Sequence, residues 1–272
     1  MEIVIPDLPN KYTKSDAKLF EYISNHTEAF LFMSISQLSK ETGMSEATIS
    51  RFAKHMGYQD YKDMRSKMIQ HQPLGGAANK LAGTLSKNES FDVQRWFRFQ
   101  QECIKTTAEN INGETFRKII ETLKSAERIY IHAKNASFSA AQLLFFRLRR
   151  LGFNVFLIPS GGSETIEGIA HAQRGDVAIL FSFSKLSKEG KYILDYSKQA
   201  GFSTVAFTSR RIMPREECAD YSMYVYRGED REYHSVSSAI VMVDALILAL
   251  SEEIKSVATE RLRKVQELKR QY

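Results

Sequence analysis

The stretch DVAILFSFSKLSKEG, residues 176–190, decides the fold of the larger part of this chain. Val177 to Phe181 are apolar without alternation, as in a strand buried on both faces. Such strands belong to parallel sheets covered by helices on both sides. The run then breaks into Ser182, Ser184 and Ser187 around Lys185, and a helical pattern opens. A strand end rich in hydroxyls that leads into a helix presents an anion with O–H groups, free backbone N–H donors and the positive end of a helix dipole. A glycine is expected in such a turn, and Lys185 stands in its place.

Working outward, β-rich runs recur at RIYIHA (128–133), FNVFLIP (153–159), STVAFTS (203–209) and YSMYVYR (221–227). Helical patterns near 138–151, 162–172, 188–200 and 211–219 separate them, and the apolar helix SSAIVMVDALILALSEEI (237–254) closes the series. Alternating β and α predicts a doubly wound, five-stranded parallel sheet over 114–256, in the flavodoxin-like order 2-1-3-4-5. That order reverses between the first and third strands, where ligands bind beyond the carboxyl ends. The two loops that meet there are HAKNASFS (132–139) and SFSKLSKE (182–189). The predicted effector-binding side chains are therefore Ser137, Ser182, Ser184 and Ser187. The competing reading is that these serines merely cap helices. Lys134 and Lys185 would either supply charge to a phosphate or close the site.

The first part of the chain reads differently. Residues 14–70 are helical throughout, with Ser15 expected as the first N-cap and Gly43 and Gly57 at helix C-caps. SISQLSKETGMSEATISRFAK (34–54) has helix-turn-helix spacing: Ile35 and Leu38 inward, Ser39 at the crossing, and Gly43 for the turn. Ser45 caps the second helix, with Met44, Ile49 and Phe52 inward. Thr42 stands where an apolar residue is usual, but its methyl still packs. The predicted DNA-binding residues are Ser45, Glu46, Ala47, Thr48, Ser50, Arg51 and Lys54. Ala47 and Thr48 are short enough to meet a thymine methyl, and Arg51 reaches guanine or phosphate. Lys54, Tyr58, Tyr61 and Lys62 are assigned to the DNA backbone. Lys40, Arg51, Lys54, Lys62, Arg65 and Lys67 only just outweigh Glu41, Glu46, Asp60 and Asp63. So thin an excess implies modest affinity per subunit, and hence binding to double-stranded operator DNA as a homodimer or homotetramer.

AKLFEYISNHTEAFLFMSISQLSKETGMSEATISRFAKHMGYQDYKDMR resembles the N-terminal domain of the RpiR/MurR family of bacterial transcriptional regulators, over about residues 12–70. The resemblance implies a C-terminal sugar isomerase (SIS) domain that senses a phosphosugar, and the element order over 114–256 is similar to one. It also implies a glycine-rich first loop and a Ser-x-Ser-Gly-x-Thr turn. Here His132, Lys134 and Asn135 replace the first-loop glycines, Lys185 replaces the turn glycine, and Ser187 replaces the threonine. His234 and Ser235 lie where such domains often complete the sugar site.

The resulting organisation is α followed by α/β. Residues 1–75 form the helix-turn-helix domain, 76–113 a linker and connecting helix, 114–256 the SIS domain, and 257–272 a basic C-terminal helix. At 272 residues the chain has room for two domains, and 43% hydrophobic with 26% charged residues is a globular composition. Net charge is +6, compatible with nucleic acid or acidic metabolites. Cys103 and Cys218 are expected to be packing thiols of a reducing cytoplasm. No metal site, cofactor or catalytic residue is expected, and neither a signal peptide nor a membrane span. Glu164 and Glu167 are read as solvated, Asp244 as a partner to another helix, and Trp96 with its neighbouring phenylalanines as packing. The alternatives are a sugar-phosphate isomerase and a regulator whose SIS domain only dimerises.

Overall fold

The computed structural model describes residues 13–71, 77–85, 90–230 and 232–272. The chain forms two compact units, Met1–Arg95 with Gly228–His234, and Trp96–Arg227 with Ser235–Tyr272. The signal-peptide expectation over the first residues lies outside the described residues.

The first unit is helical: α1 Lys14–Asn25, α2 Thr27–Phe32, α3 Ile35–Thr42, α4 Glu46–His55, α5 Tyr61–His71 and α6 Ala77–Leu85. Helix α1 begins two residues earlier than a Ser15 cap would place it. Thr13 is the cap, because Asp16 completes a capping box: Thr13 Oγ1 accepts from Asp16 N and Asp16 Oδ2 accepts from Thr13 N. The turn between α3 and α4 follows the predicted chemistry. Gly43 takes φ 69°, ψ 16°, and Ser45 Oγ accepts from Thr48 N at 3.2 Å. Leu38, Ile49, Phe52 and Ala53 are buried with Leu19, Phe30, Met56 and Met64. Thr42, the off-pattern residue, donates its hydroxyl to Leu38 O at 2.7 Å. Helix α6 falls within the expected linker.

The second unit begins within α7 (Val93–Glu109). It continues through α8 Gly113–Lys124, β1 Ile129–Ala133, α9 Phe138–Arg150, β2 Val155–Leu157 and α10 Ser163–Ile169. Then come β3 Val177–Phe181, α11 Lys188–Ala200, β4 Ser203–Thr208, β5 Tyr221–Tyr224, α12 Ser237–Glu253 and α13 Lys255–Gln271. The sheet is parallel with the predicted order β2-β1-β3-β4-β5. Alternate residues feed two cores, as strand geometry requires. Ile129, Ile131, Val177, Ile179, Val205 and Phe207 pack with α8, α9 and α12. Tyr130, Ala178 and Leu180 pack with α10 and α11.

Three expectations need correction. The helix expected at 211–219 is a single 3₁₀ turn at Arg215–Glu217, because Pro214 and the short span between β4 and β5 leave no room for more. The basic tail, α13, is exposed along most of its length, with Ala258 buried and Arg261 donating to Leu151 O at 2.7 Å. Cys218 is exposed, so only Cys103 is a packing thiol. Phe91 and Phe97 are also exposed and do not pack the connecting helix.

Candidate functional site

The first candidate surface is α4. Apolar positions 49, 52, 53 and 56 face the core, so Glu46, Ala47, Arg51 and Lys54 are left exposed, with Thr48 and Ser50 half-buried. Ser45 is exposed, but its hydroxyl is occupied as a cap and lies 2.9 Å from Thr48 Oγ1. Arg51 Nη2 reaches Thr48 Oγ1 at 3.4 Å, which holds the guanidinium along the outward face. Tyr58 and Tyr61 are not available to the DNA backbone, contrary to expectation. Both are buried, and Tyr61 donates its phenolic O–H to Met33 O at 2.9 Å. Their spacing past α4 puts them on the inner side of the bundle. Lys62 is exposed.

The second candidate is the carboxyl edge of the sheet. The β1 and β3 loops meet there: His132 Nε2 lies 3.4 Å from Ser187 Oγ, and Lys134 Nζ lies 3.0 Å from both oxygens of Glu189. Ser187 is also the N-cap of α11, accepting from Gly190 N at 3.0 Å. Ser137 donates to Lys134 O at 2.7 Å, and Ser182 donates to Lys185 O at 3.1 Å. Ser184 is exposed at the head of the turn and accepts from Arg227 Nη2 at 3.4 Å. The four predicted serines thus sit on two adjoining loops. Ser187 has the capping role of the rival reading, and Ser182 and Ser137 brace their own loops.

The missing glycines can now be judged. Asn135 takes φ 55°, the one non-glycine in the left-handed region among the described residues. Asparagine tolerates that region best after glycine, so the first loop keeps a glycine-like backbone. Lys185 has no positive φ, so the β3 turn needs no glycine for its conformation.

Electrostatics separate the cations. Lys134 is paired with Glu189, and that hydrogen bond holds the Glu189 carboxyl below its usual range. Burial pushes the His132 imidazole below its usual range, which favours its neutral form. Its Nδ1 is buried and unpaired. Lys185 is exposed. Arg227 escaped the sequence reading. It is buried, and desolvation lowers its pKa to about 10. The available signal was a lone cation closing the apolar run YSMYVYR.

The remaining candidates fall elsewhere. His234 is engaged within the first unit, with Nδ1 3.0 Å from Lys80 Nζ and Nε2 2.9 Å from Glu229 O. Ser235 Oγ accepts from Ser237 N at the start of α12. Glu164 and Glu167 are exposed on α10. Asp244 lies 3.9 Å from Arg147 Nη2 of α9, the neighbouring-helix partner expected of it.

An outward-facing second helix on a helix-turn-helix, joined to a parallel α/β sheet with a hydroxyl-lined switch point, defines a two-domain transcriptional regulator. Sequence comparison agrees with both halves: the helix-turn-helix domain of the rpiR family matches residues 2–72, and the SIS domain matches residues 122–249. The chain belongs to the RpiR-type regulators. It is 27% identical over 259 residues to an uncharacterised HTH-type transcriptional regulator of Clostridium perfringens, covering 93% of this chain and 92% of the relative. A second such regulator, from Caldanaerobacter subterraneus, is 23% identical and covers 92% and 90%. Among solved structures, the Vibrio vulnificus NanR protein complexed with ManNAc-6P has a similar fold, with TM-score 0.60, 20% identity and coverage of 94% and 93%. The sugar isomerase domain of an RpiR transcription factor from Sphaerobacter thermophilus, also 20% identical, matches with TM-score 0.60 over 64% of this chain and 97% of that one.

Proposed function

We propose that this regulator binds operator DNA through α4 and senses a phosphosugar at the carboxyl edge of the β1 and β3 strands. The observation that carries the reading is the meeting of those two loops, His132 with Ser187 and Lys134 with Glu189, with Ser184 exposed in the second of them. Hydroxyls from two loops and the N-terminus of α11 suit a phosphate monoester. A NanR protein of similar fold is complexed with ManNAc-6P, a phosphosugar, which supports the same class of ligand here.

The protein acts as a sensor and not as an isomerase. Isomerisation needs a base beside the sugar carbons, and Glu164 and Glu167 lie exposed on α10. It works in the cytoplasm as a homo-oligomer. Phe146 on α9 and Val241 and Leu248 on α12 are exposed apolar residues on neighbouring helices, and such patches are commonly covered by a second copy. Effector binding regulates by favouring one of two oligomer geometries over the other.

The test is a thermal-unfolding screen of the full-length protein against hexose and amino-sugar phosphates, followed by gel shifts on upstream DNA. At least one phosphosugar is expected to raise the midpoint and to alter operator affinity. Stabilisation by none, with DNA binding intact, would leave a dimerisation-only SIS domain. Turnover of a phosphosugar, abolished by Glu164→Gln, would make the protein an enzyme.

A further inference from the structure

We propose that Arg227 is the cation that grips the anionic group of the effector, acting together with the Ser184 hydroxyl. The inference rests on the sensing reading above and adds a residue to it from outside the two serine loops.

Arg227 lies three residues past the end of β5, at the same carboxyl edge of the sheet. It is only 8% exposed. Its guanidinium carbon sits 3.9 Å from the centre of the Phe183 ring. Nε donates to Ser209 Oγ at 3.2 Å and Nη2 to Ser184 Oγ at 3.4 Å. All its partners are neutral: two hydroxyls and an aromatic face. Among the described residues no carboxylate pairs with it.

The same unit shows what a structural arginine looks like. At the opposite edge of the sheet, Arg128 grips Asp176 through a two-pronged contact, Nη2–Oδ2 at 2.8 Å and Nε–Oδ1 at 3.1 Å. There the charge is balanced within the fold. Burying a charge without a counter-charge is costly, and packing alone would be served as well by an apolar residue. Such a cost is sensible where a ligand brings the balancing charge.

The neighbours fit that role. Ser184 accepts from Arg227, which orients its own O–H as a donor to a bound oxyanion. Ser209 donates to Val225 O at 2.6 Å, so the Nε side is anchored. Ser184 is exposed, which leaves an approach from solvent. Lys134 is already neutralised by Glu189 and is a poor substitute. A planar guanidinium matches phosphate oxygens better than an ammonium does. The fixed charge of Arg227 thus takes over part of what a backbone N–H supplies in a glycine-bearing turn.

The probe is inorganic phosphate, titrated against full-length protein at constant ionic strength, with thermal unfolding as readout. Wild type, Arg227→Met and Arg227→Lys are compared. Phosphate is expected to raise the wild-type midpoint. Arg227→Met should need at least tenfold more phosphate for the same rise, yet match wild-type stability in chloride buffer. Arg227→Lys should fall between, and it carries the test if the methionine variant does not fold. A wild type indifferent to phosphate, or variants that respond as wild type does, would overturn the assignment. A parallel arm compares hexose phosphates with their unphosphorylated parents. Phosphosugars no better than inorganic phosphate, with the Arg227 dependence intact, would remove sugar sensing and leave the anion site standing.

Discussion

Asp16 Oδ2 lies 2.8 Å from His55 Nδ1, joining the first turn of α1 to the last turn of α4. Asp16 is buried and also completes the capping box with Thr13. Burial alone would raise its pKa, but the hydrogen bonds from Thr13 and His55 and the imidazole charge outweigh it, and the carboxyl is held below its usual range. A carboxyl with a depressed folded-state pKa stabilises the fold above its unfolded value, near 3.9, and loses that contribution as pH falls below it. Asp16→Asn should therefore cost about 1–2 kcal/mol at pH 7, the worth of a charged hydrogen bond, and less at pH 3. Urea unfolding followed by circular dichroism at the two pH values checks this; an equal loss at both would mean that the charge is irrelevant.

Arg51 is exposed on α4 and its one hydrogen-bond partner among the described residues is Thr48, so its removal should leave the bundle intact. Arg51→Ala should weaken operator binding by about 1–3 kcal/mol if it reads a base, with unchanged helicity. Lys54→Ala should weaken binding to all sequences and lower the salt slope by about one. Gel shifts at several salt concentrations separate the two; normal affinity in Arg51→Ala would rule out α4 as the reading helix.

Ser184 and Lys185 are neighbours with different expected roles. Ser184→Ala removes a hydroxyl of the proposed site and should cost roughly tenfold in phosphosugar affinity, about 1.4 kcal/mol. Lys185→Gly should change affinity by less than about threefold, since the turn holds no left-handed residue there. Calorimetry on both variants decides; tighter binding in Lys185→Gly would show that the lysine closes the site.

Gly152 sits at φ 80°, and a Cβ on it would meet Arg261 Cδ at 2.6 Å. Gly152→Ala should destabilise the second unit by about 1–2 kcal/mol from backbone strain, plus the clash. Arg261→Ala in the same chain should relieve only the clash. Thermal unfolding of the single and double variants measures both parts, and a full rescue would show that the backbone carries no strain.

Asn135→Gly should be neutral or slightly stabilising, and Asn135→Val should cost about 1 kcal/mol or more, because a β-branched residue is poorly accommodated at φ 55°. Equal melting temperatures for the two would contradict the backbone reading of the first loop.

Much of this was legible along the chain, because it depends on neighbours within one or two turns. The caps Ser45 and Gly43, the inward positions of α3 and α4, the two-sided strands and their order follow from periodicity, from turn chemistry and from the rule that ligands sit where strand order reverses. Errors arose where a single residue took over, as Thr13 did for Ser15 and Pro214 for the missing helix. The balance of charge at the site lay beyond any local pattern. Glu189 neutralises Lys134 from 55 residues away, and Arg227 reaches Ser184 across 43. FSFSKLSKEG by itself determined a strand end, a turn and a helix start able to meet an anion. Only the parallel register of β1, β3, β4 and β5, which brings distant loops to one edge, decided which cation stands beside Ser184 and which is already paired.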